Sequence, residues 1–178
     1  AALDKLIEHV IGGGADYLVA LGTTAETPAL SGSEKEAILR FVVERSAGRV
    51  PVIAGLGGNS TADVVSALRS ANLDGVDAVL SVTPYYNKSS QEGIYRHYKA
   101  LAEASPCGIV LYNVPGRTGV NMTAQTVLRL AHDCGNIIGV KDASGNLSQA
   151  AYILKDRPEG FAVISGDDSL TVPMAALG

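Results

Sequence analysis

The chain has 178 residues, 47% of them hydrophobic and 18% charged, which is enough apolar material for a sizeable core and too much for a disordered tail. Its formal net charge of −4, with lysines and arginines scattered instead of clustered, offers no basic track for a phosphate backbone, so nucleic-acid binding is not expected. No apolar run reaches the roughly 18 residues that a bilayer crossing needs, and the first residues lack the charged-then-apolar layout of a secretory leader; the expectation is a cytoplasmic protein with no membrane partner.

Taken in chain order, short apolar or β-branched runs alternate with longer amphipathic stretches. A helix is expected over 2–11 and a strand over 17–21. The next helix, 33–47, opens on Ser33 with Glu36 three residues later, a capping-box pattern that satisfies free amides at a helix start. A strand over 52–54 leads to a helix over 62–71 capped by Ser60 or Thr61, and a strand over 78–82 to a helix over 91–104 capped by Ser90. A strand over 108–112, a helix over 124–132 capped by Thr123, strands over 137–140 and 161–164, and a final helix over 169–177 complete the series. Cys107 and Cys134 lie far apart and form no CxxC motif, and His9, His97 and His132 fall in helices without ligand spacing. Free thiols and no metal site are expected.

Six strands at this spacing fit either a closed (β/α)8 barrel or an open doubly wound sheet. Polar clusters decide between them. Gly22-Thr23-Thr24, Gly57-Gly58-Asn59, Thr83-Pro84-Tyr85-Tyr86-Asn87, Tyr112-Asn113, Lys141-Asp142 and Gly166-Asp167-Asp168 each follow a strand. Reactive residue types at nearly every C-terminal strand end suit a barrel, where all these ends meet at one mouth. The fold class is therefore read as α/β, a (β/α)8 TIM barrel of which 1–178 forms a single catalytic domain of about six strands, incomplete at both ends.

Lys141 closes an apolar strand, so its stem should pack among neighbours while its amine points into the mouth. Desolvation there disfavours the ammonium and favours the nucleophilic free amine, although a rim lysine paired with Asp142 or Asp168 fits the same position. Tyr112, at the end of the preceding strand, is either a proton relay or a core ring with its hydroxyl at the edge. Arg117, in the loop Pro115-Gly116-Arg117-Thr118-Gly119, either offers a planar fork to a substrate carboxylate or stays solvated. Thr23 and Thr24 suit carboxylate binding, proton relay or plain turn formation. The 55–59 loop lacks the spacing of a phosphate cradle and is read as a tight turn.

Together, Gly22-Thr23-Thr24-Ala25-Glu26, Val82-Thr83-Pro84-Tyr85-Tyr86-Asn87, Leu111-Tyr112-Asn113-Val114-Pro115-Gly116-Arg117-Thr118-Gly119 and Gly139-Val140-Lys141-Asp142-Ala143-Ser144-Gly145 resemble the dihydrodipicolinate synthase family, pyruvate-dependent class I aldolases. The resemblance implies that Lys141 forms a Schiff base with pyruvate, and that the resulting enamine attacks L-aspartate 4-semialdehyde to give 4-hydroxy-tetrahydrodipicolinate, a step of lysine and diaminopimelate biosynthesis. No cofactor is implied. Tyr112 would be the acid/base, with Thr23 and Tyr86 completing a relay, Thr24 and Gly166 holding pyruvate, and Arg117 holding the second substrate. Tyr86 would act in the adjacent subunit, which implies a tight dimer paired into a homotetramer.

Ala25 stands where the family usually has glycine, and Asp142 where it more often has glutamate. Gly32 and Lys35 replace histidines found in some lysine-inhibited members, beside retained Asn59 and Tyr85 and acidic Asp63, so lysine regulation is not expected. Another pyruvate aldolase, such as an N-acetylneuraminate lyase or a 2-keto-3-deoxy sugar-acid aldolase, would share the lysine and tyrosine, but Arg117 and the tyrosine pair favour the synthase. Finally, a barrel needs eight strands, and the resemblance implies a further strand before Ala1 and another after Gly178.

Overall fold

The computed structural model describes residues 2–178, and its centre is a sheet of six strands that are all parallel and stand in chain order. The strands are β1 (Leu18–Ala20), β2 (Val52–Gly55), β3 (Ala78–Val82), β4 (Gly108–Asn113), β5 (Ile137–Asp142) and β6 (Ala162–Ser165). A doubly wound sheet would reverse its order at a switch point, so this sequential order is that of a (β/α)8 barrel wall.

The central strands β3 and β4 are mostly apolar and buried on both sides, as a parallel sheet covered on both faces requires, whereas the edge strands β1 and β6 are partly exposed. On β3 and β4, Val79, Ile109 and Leu111 point outward into a cluster with helix residues such as Ile94, Tyr98, Leu101 and Leu130. Leu80, Val110 and Tyr112 point the other way, into a smaller inner cluster with Ile53 and Ala78. The outward side is covered by α1 (Ala2–Gly12), α2 (Gly32–Ser46), α3 (Thr61–Ser70), α4 (Gln91–Ala104), α6 (Ala124–Asp133), α7 (Leu147–Asp156) and α8 (Thr171–Leu177). A single turn, α5 (Pro115–Thr118), lies at the mouth after β4. No described helix is long and apolar enough to cross a membrane.

Ser60, Ser90 and Thr123 cap α3, α4 and α6 as expected, each accepting from the backbone N–H three residues on. At α2 the capping box is not Ser33 with Glu36 but Ser31 with Glu34. The Glu34 carboxylate accepts from the Ser31 N–H at 2.8 Å, and the Ser31 hydroxyl accepts from the Glu34 N–H at 3.3 Å. Two boxes overlap in Ser-Gly-Ser-Glu-Lys-Glu, and the earlier one starts the helix at Gly32, which adds backbone hydrogen bonds.

The strand ends also run further than the apolar pattern indicates. Lys141 and Asp142 lie inside β5, where they pair with Tyr112 and Asn113 on one side and with Ile164 and Ser165 on the other. At the end of β1 the chain turns sharply through Leu21 at φ 59. Gly55 permits this turn, because a Cβ there would collide with the Leu21 carbonyl.

Candidate active site

Because every strand runs the same way, the polar segments after them gather at one end of the sheet, and the two residues with the most reactive side chains sit on adjacent strands there. Tyr112 and Lys141 are register partners across β4 and β5, so their side chains leave the sheet on the same, inner face. The Lys141 Nζ stands 4.7 Å from the centroid of the Tyr112 ring. Tyr112 is 7% exposed, and Lys141 is half-buried.

The pairing of Lys141 with Asp142 or Asp168 does not occur. Neither carboxylate is in an ion pair with the lysine among the described residues, whose bridges all involve arginines. Asp142 alternates to the outer face, where it is 3% exposed and accepts from the Asn113 amide at 2.8 Å and the Ser144 hydroxyl at 2.7 Å. The Tyr112 carbonyl is held from the β3 side by Thr83, which donates to it through both its N–H at 2.9 Å and its hydroxyl at 3.0 Å. Thr83 is wholly buried, and sequence reading gave it no role.

An open cleft of about 940 Å³ begins at this mouth, and Tyr112, Arg117, Thr23 and Tyr85 all line it. Arg117 lies on α5, whose turn closes at Gly119 in the left-handed conformation. It is exposed, and its guanidinium enters none of the ion pairs among the described residues, so it is free to meet an anion. The cleft continues between α2 and α3, where Gly32, Lys35, Asn59 and Asp63 line it.

The remaining candidates are placed unevenly. Thr23 and Thr24 share an exposed 3-10 turn, of which Thr23 lines the cleft and Thr24 does not. Gly166 lies against the Lys141 strand: its N–H donates to the Asp142 carbonyl at 2.8 Å, and a Cβ would come within 2.8 Å of Ala143. Tyr86 is 87% exposed, with its backbone held in the left-handed region at φ 70. Among the described residues, no side-chain hydrogen bond joins Thr23, Tyr112 and Tyr86 into a relay.

His97 is the one histidine that is buried, 3% exposed, with Nδ1 2.9 Å from the Thr61 hydroxyl and Nε2 without a partner. Burial pulls its imidazole down to about 4. Among the described residues, no group of three or more His, Cys, Asp or Glu side chains converges as metal ligands.

Comparison with known proteins gives this arrangement a context. The model of the dihydrodipicolinate synthetase family matches residues 1–178. The 4-hydroxy-tetrahydrodipicolinate synthases of Parabacteroides distasonis and Phocaeicola vulgatus are 58% and 55% identical to the chain over 177 residues, covering 99% of it and 60% of each relative. A crystal structure of the chloride-inhibited dihydrodipicolinate synthase from Acinetobacter baumannii, complexed with pyruvate, superposes with a TM-score of 0.94 at 43% identity, over 99% of this chain and 60% of that one. The chain thus spans about three-fifths of the length of the proteins it matches.

Proposed function

This chain belongs to the dihydrodipicolinate synthetase family, and on that premise we propose that it carries the reacting centre of a 4-hydroxy-tetrahydrodipicolinate synthase, which condenses pyruvate with L-aspartate 4-semialdehyde. The observation that carries this reading is the shared inner face of Lys141 and Tyr112 at the C-terminal ends of adjacent strands.

The Lys141 amine adds to the ketone of pyruvate, and loss of water leaves a protonated imine. That imine is the electron sink, so a proton leaves the pyruvate methyl group and the resulting enamine carbon attacks the aldehyde carbon. Tyr112 accepts and returns the protons of these steps, because its ring stands against the lysine and its edge meets the cleft. Thr23 and Tyr86 complete the proton route to solvent. Thr24 and the Gly166 backbone bind the pyruvate carboxylate, and Arg117 binds the carboxylate of the aldehyde partner as a charge-assisted pair. The chemistry needs no cofactor.

Tyr86 serves the site of a neighbouring subunit, which is supported by a ring that is 87% exposed and a backbone held in the left-handed region at φ 70. The assembly is a homotetramer built from tight dimers, working in the cytoplasm. The test of the reaction is aldehyde preference at constant pyruvate in the full-length enzyme. L-aspartate 4-semialdehyde should be consumed, and N-acetylmannosamine and glyceraldehyde should not. Preference for either sugar aldehyde would overturn the synthase reading.

A further inference from the structure

Behind the Tyr112 and Lys141 pair lies a second pair that the chemistry above does not use. Asn113 and Asp142 are the next register partners along β4 and β5, on the outer face, and are 0% and 3% exposed. The Asn113 amide donates to one Asp142 oxygen at 2.8 Å, and Ser144 donates to the other at 2.7 Å. Asn113 also donates to Asn121 at 2.8 Å and accepts from the Met122 N–H at 2.9 Å, while Asn121 donates to Gln149 at 2.9 Å. The neighbours of this pair on the same face, Leu111 and Val140, are apolar and wholly buried. A buried carboxylate there is costly to desolvate, and well-packed apolar residues often stabilise such a position at least as well. Fold stability alone is a weak reason for the pair.

Register gives a better one. Along β4 and β5 the ladder shifts once: Ile109 pairs with Ile137, but Val110 pairs with Gly139, which leaves Ile138 unmatched. Without that shift, Tyr112 would face Val140 and Lys141 would face Asn113. The amine would then share the outer face and point away from the tyrosine. The hydrogen bond from Asn113 to Asp142 exists only in the shifted register, one residue beyond the reacting pair.

We propose that Asn113 and Asp142 are positioning residues that lock the β4–β5 register in which the Lys141 amine and the Tyr112 phenol share one face; the inference rests on the roles assigned above to those two groups. The test uses the full-length enzyme and the rate of borohydride trapping of pyruvate at Lys141 per folded molecule, with melting temperature and half-saturating pyruvate measured alongside. Asn113→Ala removes the lock, and Asp142→Asn keeps an oxygen that accepts from Asn113. The double variant Asn113→Ala with Asp142→Ala removes both partners and leaves no unpaired buried carboxylate. At saturating pyruvate, Asn113→Ala and the double variant should trap about 10- to 100-fold more slowly than the parent, and Asp142→Asn should stay within about threefold of it. If the single alanine variant does not fold, the double variant makes the same comparison. A folded double variant that traps at the parent rate overturns the inference, whatever its melting temperature. Absence of trapping in the parent overturns the role of Lys141 and this inference with it, whereas trapping matched by every variant overturns the inference alone.

Discussion

Lys141 and Tyr112 are direct neighbours across the β4–β5 ladder, and the lysine amine stands 4.7 Å from the centroid of the tyrosine ring. Removing the hydroxyl alone keeps that packing and deletes the group proposed to carry protons. Tyr112→Phe should therefore lower turnover by about 10²- to 10⁴-fold with little change in melting temperature. Steady-state rates and a thermal melt on one preparation check this. A large fall in melting temperature with a proportionate loss of rate would mean that the hydroxyl is structural.

Arg117 lines the cleft that Tyr112 enters and has no carboxylate partner among the described residues. Arg117→Ala should weaken use of the aldehyde substrate by about 10- to 150-fold, the value of roughly 1.5 to 3 kcal/mol for a charge-assisted bond, and leave pyruvate trapping nearly intact. Separate titrations of the two substrates distinguish these steps. Equal loss in both would assign Arg117 to pyruvate or to the fold of α5.

Tyr86 is 87% exposed, and the role proposed for it depends on a second subunit. Mixing Tyr86→Phe subunits with Lys141→Ala subunits, each of low activity, should create some sites with both residues intact and restore part of the rate. If mixed oligomers form and no activity returns, Tyr86 does not act across a subunit boundary.

His97 carries a pH dependence of stability. Its folded value, about 4, lies below the ordinary 6.5, so the unfolded chain binds the proton more readily and stability falls as pH drops from about 6.5 toward 4. The full effect is at most about 3 kcal/mol. Urea melts at pH 7 and pH 5 should differ in the parent and differ less in His97→Phe. An unchanged pH slope in the variant would assign the loss to other groups.

Much of this architecture is legible in the sequence because buried parallel strands are apolar on both faces and their helices carry caps. Five of the six expected strands end short of, or beyond, the observed ones by a residue or two, and the reason at β5 is instructive. Lys141 and Asp142 interrupt the apolar run, yet hydrogen bonding to β4 and β6 carries the strand through them. The placement of Lys141 and Tyr112 at strand ends was legible, while the roles proposed for them came from the family resemblance. The Asn113 and Asp142 pair was not, because it depends on a one-residue ladder shift at Ile109 and Val110 that no periodicity marks. Thr83 was hidden for a similar reason: its hydroxyl acts on a carbonyl 29 residues away in sequence. Tyr86 shows the opposite limit, since only family resemblance gives a use to a ring so fully exposed.

The central claim is that the Lys141 amine is the nucleophile, and borohydride reduction in the presence of pyruvate tests it most directly. Reduction fixes the imine as a stable secondary amine, and peptide mapping by mass spectrometry then locates it. The account predicts a single pyruvate-dependent adduct on Lys141 in the full-length enzyme, absent from Lys141→Ala. An adduct on another lysine, or none in an active preparation, would contradict it.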